Sequence, residues 1–382
     1  MLKRLILTII AFHVLVFVSH AWPPETIDVG IFHDRRPSGV TIIPASGAYK
    51  LTDAGGGIIC ELSLHESVRI ESMGDHLAVS WSDTTVYLRG EMHLKGIRWE
   101  NFFIVRADGI PYRIYDDDLI IRPGAGGLSF VNRVALEKYI AGVVQSESGW
   151  SRHPSFYEVQ AIIARTYALR NQQTNGHHGF DLCDGVHCQA YYGRTAYEHI
   201  IEAVYLTRGE VVVDVSGNLI NAVYHANCGG ETVASEHVWQ QAEPYLKQVF
   251  DPHCEGQPGS TWQTTIGQEE LFSFLAGNFG LVPNASQRSQ ILSFSQEQRT
   301  HYLIPFRQVS LRFIRSAFNL RSTFFTFSHY NDQLFIQGRG YGHGVGLCQE
   351  GAMEMARKGY RREEIISFYY QNVRLTELHG GQ

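Results

Sequence analysis

The order of apolar and polar positions divides the chain into two stretches of different period. From Trp22 to about Asp116, short runs such as Ile27-Asp28-Val29-Gly30-Ile31-Phe32, Gly39 to Ile43, His76 to Trp81, Thr85 to Leu88 and Phe102 to Arg106 read as β-strands. Gly55-Gly56-Gly57 and Asp108-Gly109 mark turns between such runs. No chemistry-bearing pattern stands out here, so a scaffold or substrate-presenting lobe is expected. After about Pro111 strands alternate with helical segments. Phe130 to Val134 predicts a strand, and Ala135 to Ile140 begins a short helix that runs into Gly142-Val143-Val144. Pro154-Ser155 opens a helix to about Arg170, with Ser155 as N-cap and Glu158 completing a capping box. Phe156, Val159, Ile162, Ile163 and Tyr167 share one broad face of it. Beyond it the pattern predicts a helix from Thr195 to Tyr205, strands Glu210 to Val215 and Leu219 to Tyr224, and a strand then a helix from about Gln268 within 262–278. Strand Leu334 to Gln337 and helices Glu350 to Arg357 and Glu363 to Gln371 close the chain. The expected class is α+β: a mixed α/β region over 112–382 behind a β-rich N-terminal lobe over 22–111.

The first residues change that picture at one end. Met-Leu-Lys-Arg precedes an apolar run from Leu5 to Val18 and then Ser19-His20-Ala21, the three parts of a secretory leader. The run is shorter than the ~20 residues a membrane span needs, so residues 1–21 are expected to be a signal peptide cleaved after Ala21. The mature chain is then expected in the periplasm or cell envelope with no membrane span. Removing the leader lowers Lys plus Arg from 32 to 30 against 38 Asp plus Glu. A mildly acidic chain gains nothing from phosphate attraction, which argues against nucleic acid as a partner.

Three stretches carry candidate chemistry. The first is Tyr139-Ile140-Ala141-Gly142-Val143-Val144-Gln145-Ser146-Glu147, followed by Glu158-Val159-Gln160-Ala161-Ile162-Ile163-Ala164-Arg165-Thr166-Tyr167-Ala168-Leu169. The second is Cys188-Gln189-Ala190-Tyr191-Tyr192-Gly193, leading to Tyr224-His225-Ala226-Asn227-Cys228-Gly229-Gly230-Glu231-Thr232 and Val238-Trp239. The third runs from Gly338-Arg339-Gly340-Tyr341-Gly342-His343-Gly344-Val345-Gly346 to Leu347-Cys348-Gln349-Glu350-Gly351-Ala352. In order and spacing, over about Arg113 to Arg374, they resemble the SpoIID/LytB family. The resemblance implies a peptidoglycan-directed role, with a lytic transglycosylase acting on glycan strands as one branch and an activator of a cell-wall amidase as the other. It places the catalytic acid on Glu147 and a required arginine on Arg165.

The residues themselves bear on those roles. Glu147 ends an apolar stretch and precedes Ser148-Gly149-Trp150, where desolvation beside an indole would keep a carboxylic acid protonated; a surface glutamate at a helix end is the plain alternative. Hydrolysis of a glycosidic bond usually takes two carboxylates, and no second one accompanies Glu147 in its motif, although Glu231, Glu236 or Glu350 could approach in space. Arg165 shares a helix face with Glu158 and either orders that helix or orients Glu147 or a sugar carboxylate.

His177, His178, Cys183, His187 and Cys188 fall within one short loop that could wrap a structural zinc. A Cys183–Cys188 disulfide and a metal-free polar loop are the alternatives. Cys228 lacks the base and orienting group of a cysteine nucleophile, so a disulfide to Cys254 or a buried thiol is expected. The glycines of 338–346 fit neither dinucleotide nor P-loop patterns, and instead permit close backbone approach beside Tyr341, His343 and Gln349. These three, with His225 and Asn227 and the motif residues Tyr167, Gln189 and Tyr191, are the expected sugar contacts; Thr232 is expected to line the cleft, and tight packing of the glycine loop beneath the site is the plain alternative. No cofactor is required for the chemistry expected.

Overall fold

A computed structural model describes residues 26–378 apart from 99, 125, 173–176 and 240. The expected leader, residues 1–21, lies outside the described residues.

The alternating runs of the first stretch form strands β1 (Thr26–Ile31), β2 (Gly39–Ser46), β3 (Tyr49–Asp53), β4 (Ile58–Leu62), β5 (Val68–Met73), β6 (His76–Trp81), β7 (Thr84–Arg89), β8 (Met92–Gly96) and β9 (Phe102–Ala107). They are followed by β10 (Arg113–Asp116), β11 (Asp118–Arg122), β12 (Ser129–Ala135) and the short β13 (Leu182–Cys183). One sheet runs β13-β1-β12-β11-β8-β3-β4 and the other β10-β9-β2-β5-β6-β7. The boundary drawn at 111–112 falls between β9 and β10, and pairing continues across it. β1 is hydrogen-bonded on one edge to β12 and on the other to β13, so its backbone groups are satisfied only by strands from later in the chain. Alternate residues of both sheets, among them Val40, Ile42, Tyr49, Leu51, Phe103 and Val105, meet in one core, where the Tyr49 and Phe103 rings lie 5.6 Å apart.

Helix α1 (Leu136–Ser148) packs on β1 and β12, and α2 (Pro154–Asn171) and α3 (Glu198–Leu206) pack on α1 and on each other. Helix α2 is buried on nearly every side from Phe156 to Thr166, wider than the single face its apolar residues predict. The reason is that α1 and α3 cover part of it while β14 (Glu210–Val213) and the C-terminal helices α8 (Gln349–Arg357) and α9 (Arg362–Tyr369) cover the rest. Its polar residues must then be satisfied internally. Arg165, with 0 % exposure, pairs with Glu137 of α1 through Nη2–Oε2 at 2.6 Å and Nε–Oε1 at 3.0 Å, and donates to the carbonyls of Val204 and Glu210. Thr166 Oγ1 donates to Ile162 O and accepts from Val212 N–H.

The expected capping box does not form. His153 is the N-cap and makes no side-chain cap bond, because Pro154 at N1 removes one donor and fixes the entry angle. Glu158 turns outward to Arg362 of α9 at 2.9 Å, and that arginine also binds Glu210. The helix expected from Thr195 begins at Glu198, since Thr195 Oγ1 instead accepts from Tyr197 N–H in a turn. Of the strand expected at Leu219 to Tyr224, only β15 (Tyr224–His225) forms; it pairs in parallel with β21 (Leu347–Cys348). β14 pairs with β22 (Arg374–Glu377).

Between them, past α4 (Glu236–Trp239), a small lobe carries its own core. It holds β16 (Thr261–Gly267), α5 (Gln268–Phe279), α6 (Ala285–Leu292), β17 (Tyr302–Ile304), β18 (Val309–Ser310), α7 (Leu311–Ala317), β19 (Phe324–Tyr330) and β20 (Gln333–Arg339). Trp262, Leu271, Leu275, Ile314, Phe325 and Ile336 fill that core, and β20 is the central strand of its three-stranded sheet. Among the described residues no helix is long and apolar enough to cross a membrane.

The role of Arg165 in this packing is measurable. Arg165→Met leaves the Glu137 carboxylate buried without a cation, and the expected loss is about 3–5 kcal/mol in denaturant unfolding. A loss under about 1 kcal/mol would show that the pair does not hold the helices.

Candidate active site

Glu147 is the next-to-last residue of α1, and the helix stops where Gly149 takes φ 72°. The positive φ at Gly149 turns the chain away, leaving the carboxylate at the helix end. The loop that follows β13 returns across this end. Ala190 N–H donates to Glu147 Oε1 at 2.6 Å, and Tyr192 N–H to Ser146 Oγ at 3.0 Å. The Tyr224 hydroxyl supplies a second hydrogen bond to Glu147. Gln189 braces that hydroxyl: its Nε2 donates to Tyr224 Oη and to Ala164 O, both at 3.4 Å, and its Oε1 accepts from Tyr139 at 3.3 Å.

Burial raises Glu147 above the ordinary carboxylate range, and the bonds from Ala190 and Tyr224 offset only part of the rise. None of the ion pairs among the described residues includes it. The half-buried Tyr167 ring and the Tyr139 and Tyr224 hydroxyls feel its charge, and burial pushes all three phenols upward. The apolar shield is therefore a group of tyrosines. Trp150, expected beside Glu147, is 59 % exposed and stacks on Tyr197 at 5.8 Å.

Of the other expected site residues, Gln189 and Tyr167 gather at Glu147. Arg165 does not reach outward, since its guanidinium is engaged by Glu137 and two carbonyls below the site. Tyr191 is fully buried, packs on Tyr139 and donates to Asn132, which makes it a core residue. Gln349 is buried against Gln160, and Asn227 is taken by Cys254 O, Glu350 and Gly229 N–H. Thr232 bridges backbone groups of Lys247 and Val249.

His225 and His343 form a second polar group that is linked to the first. Their rings lie 5.4 Å apart, and His343 bonds the backbone of Tyr224. Burial lowers His343 to about 4, and its Nδ1 accepts from Val345 N–H, so it is a neutral imidazole. His225 Nδ1 bonds Val345 O, while its buried Nε2 has no partner among the described residues. Tyr341, 50 % exposed, is the one expected contact that presents its ring to solvent.

The His/Cys loop gathers as well. Ligand atoms of His177, Cys183, His187 and Cys188 all lie within 4.8 Å of one another, and exposed His178 is not among them. The two sulfurs stand 3.2 Å apart, His177 Nε2 lies 3.3 Å from Cys188 Sγ, and His187 Nδ1 lies 3.5 Å from the same atom. Two thiolates and two imidazoles suit a closed tetrahedral zinc site. The hydrogen bond between the two sulfurs brings Cys183 down to about 4.

Sequence reasoning passed over Tyr224 and the Ala190 N–H. Tyr224 stands next to His225 in its motif and could have been found there, whereas a backbone donor has no residue signature. Of the carboxylates considered as partners, Glu231 accepts from Arg299 N–H, Glu236 pairs with Lys247, and Glu350 accepts from Asn227 and Gly259.

The acid thus stands at the end of a helix, under a loop that also gathers cysteines and histidines. The family described as stage II sporulation protein, SpoIID, matches residues 124–213, the stretch that holds α1, α2 and this loop. An uncharacterised protein of Brachyspira hyodysenteriae is 30 % identical over 313 residues, covering 78 % of this chain and 83 % of that one. Stage II sporulation protein D of Bacillus subtilis is 28 % identical over 269 residues, 65 % of this chain and 76 % of its own. The amidase enhancer of the same organism is 26 % identical over 289 residues, 62 % of this chain and 40 % of its own. The chain belongs to the SpoIID/LytB family.

The raised Glu147 has a consequence for stability. In the window between its ordinary and its raised value the folded state holds a proton that the unfolded state has released, so stability falls as pH rises through that window. Glu147→Gln removes this slope and is expected to unfold at equal or higher denaturant concentration than the parent at pH 7–8. A variant clearly less stable than the parent there, with the slope intact, would place the titration elsewhere.

Proposed function

We propose that this protein cleaves the glycan strands of peptidoglycan as a lytic transglycosylase, with Glu147 acting as acid and then as base. Membership of the family carries the broader statement, a role at the cell wall. The observation behind the finer one is that Glu147 is sheltered, raised by burial and free of ion pairs among the described residues, while two hydrogen bonds fix its orientation. In the reaction its proton passes to the bridging oxygen and the C1–O bond breaks, leaving an oxocarbenium-like sugar. The 6-hydroxyl of the same sugar bonds to C1, and its proton returns to the carboxylate. One carboxylate closes this cycle. That Glu231, Glu236 and Glu350 are each engaged by other groups supports this one-carboxylate route over hydrolysis. The exposed Tyr341 ring is the group we assign to the sugar.

The His177/Cys183/His187/Cys188 set is proposed to hold a structural zinc, which when bound would fix the loop carrying Ala190 and Gln189 without entering the chemistry. Export of the mature chain after Ala21 is part of the same reading. Likeness to the amidase enhancer supports a second one, in which the site holds glycan and the protein stimulates an amidase.

Glu147→Gln is expected to keep the fold and lower glycan cleavage by about 10²–10⁴-fold, since the amide matches the carboxyl in shape but donates no acid proton. Digestion of purified glycan strands should give 1,6-anhydro-N-acetylmuramic acid ends by mass spectrometry. Reducing ends carrying labelled solvent oxygen would mean hydrolysis. Full cleavage by the variant would end the assignment, and undiminished stimulation of an amidase by a variant that cleaves nothing would favour the second reading. At the loop, elemental analysis should find stoichiometric zinc that Cys183→Ser/Cys188→Ser loses; a mapped Cys183–Cys188 disulfide without metal would remove that part.

A further inference from the structure

A second cluster lies apart from the loop, and no step of the proposed reaction uses it. Cys228, expected to pair with Cys254 or stay a lone thiol, has both Cys254 and Cys348 beside it. The three sulfurs and a carboxylate oxygen of Asp251 all lie within 4.8 Å of one another, and all four residues are buried. Cys228 Sγ is 3.3 Å from Cys254 Sγ and 3.3 Å from Asp251 Oδ2. Ligands about 2.0–2.3 Å from a tetrahedral zinc stand about 3.3–3.8 Å from each other, close to these separations.

Backbone N–H groups converge on two of the three sulfurs. Cys348 is the N-cap of α8, and its sulfur accepts from Cys228 N–H at 3.2 Å and Gly351 N–H at 3.4 Å. Cys254 Sγ accepts from Gly230 N–H at 3.1 Å, made possible by the positive φ of Gly229 and Gly230. A helix N-terminus and convergent N–H groups favour negative sulfur. Asp251 is held as a metal-bound carboxylate would be, with Oδ2 accepting from Tyr369 at 2.9 Å and Oδ1 from His253 N–H at 2.9 Å. Its exposure is 0 %, and none of the ion pairs among the described residues includes it. A buried carboxylate among sulfurs is neutralised by a proton or matched by a cation. Arg299, which donates to Cys228 O, offsets part of the charge left by three thiolates and a carboxylate around a dication. Space is also closed to larger residues: a Cβ on Gly351 would lie 2.4 Å from Asp251 Oδ2. A disulfide would use two of the sulfurs and leave the third thiol and the carboxylate facing it.

We infer that Cys228, Cys254, Cys348 and Asp251 form a second, thiolate-rich metal site that takes zinc or a similar soft divalent cation. Binding releases the thiol protons and ties together segments far apart in sequence. Cys348 ends β21, which pairs with β15, and β15 holds Tyr224 against Glu147. The site therefore clamps the strand pair behind the acid. Its effect on cleavage rests on the function proposed above, but its existence does not.

The mature chain, purified without added metal or chelator, should carry two zinc ions by elemental analysis. Cys183→Ser/Cys188→Ser should keep one, and Cys228→Ser/Cys348→Ser should lose that one in turn. Cobalt exchanged into Cys183→Ser/Cys188→Ser should give a sulfur-to-cobalt charge-transfer band with tetrahedral d–d bands; Asp251→Asn should keep the first and shift the second. Zinc X-ray absorption on the unaltered protein needs no variant: two filled sites average more than two sulfurs per zinc, and the loop alone gives two. A ligand set of two sulfurs and two nitrogens only, no zinc at all, or a Cys228–Cys254 disulfide mapped in the unreduced protein would each overturn the inference. Loss of cleavage with both zinc ions retained would count against the proposed reaction alone.

Discussion

The ion pair of Glu137 with Arg165 sets the position of the helix on which the site is built. Glu137 lies in the first turn of α1 and Glu147 in its last, so whatever fixes the one end fixes the depth and rotation of the other. Arg165 is enclosed by α1, α2, the carbonyl end of α3 and the start of β14, and its donors reach all of them. Such a pair adds little net stability over an apolar packing of the same volume, but it is costly to break, so it selects one register of the helices. The Glu158–Arg362–Glu210 contacts extend the same selection to α9.

Two glutamates of one helix thereby acquire opposite characters. Glu137 is buried with a cation bonded along two edges of its carboxylate. Glu147 is half-buried among tyrosines with only neutral donors, which pushes it toward the protonated form. Environment, and not residue type, separates a structural carboxylate from an acid. The Ala190 N–H and the Tyr224 hydroxyl hold the acid still, and Gln189 couples Tyr224 to Tyr139. Tyr224 in turn lies in the strand pair that leads to His343 on one side and to the buried cysteines on the other.

Five of the six cysteines divide into two sets that meet different sides of this arrangement. Cys183 and Cys188 belong to the loop that supplies Ala190, while Cys228, Cys254 and Cys348 lie behind the strand that supplies Tyr224. Each of the two hydrogen bonds to Glu147 thus comes from a segment anchored by its own sulfur cluster. A small acid site between strands and loops has few backbone ladder bonds of its own to keep it rigid, and the clusters stand where that rigidity is wanting.

Much of this was legible before any fold was known. Alternation marked the strands of the N-terminal stretch, the apolar spacing marked α2, α5, α8 and α9, and the run ending at Glu147 with the His/Cys loop was plain as motif. Local pattern suffices there because period and residue type act within a few positions. It did not suffice for Arg165, Tyr191, Asn227 and Gln349, which read as site residues and proved to be satisfied inside the protein. Nor did it show that strands on both sides of residue 111 share sheets, that Tyr224 bonds Glu147, or that Cys228, Cys254 and Cys348 meet at Asp251. Those are contacts between residues far apart along the chain. A polar side chain in a motif looks the same whether its partner is a substrate or a buried carbonyl, and only the closing of the tertiary structure decides which one it meets.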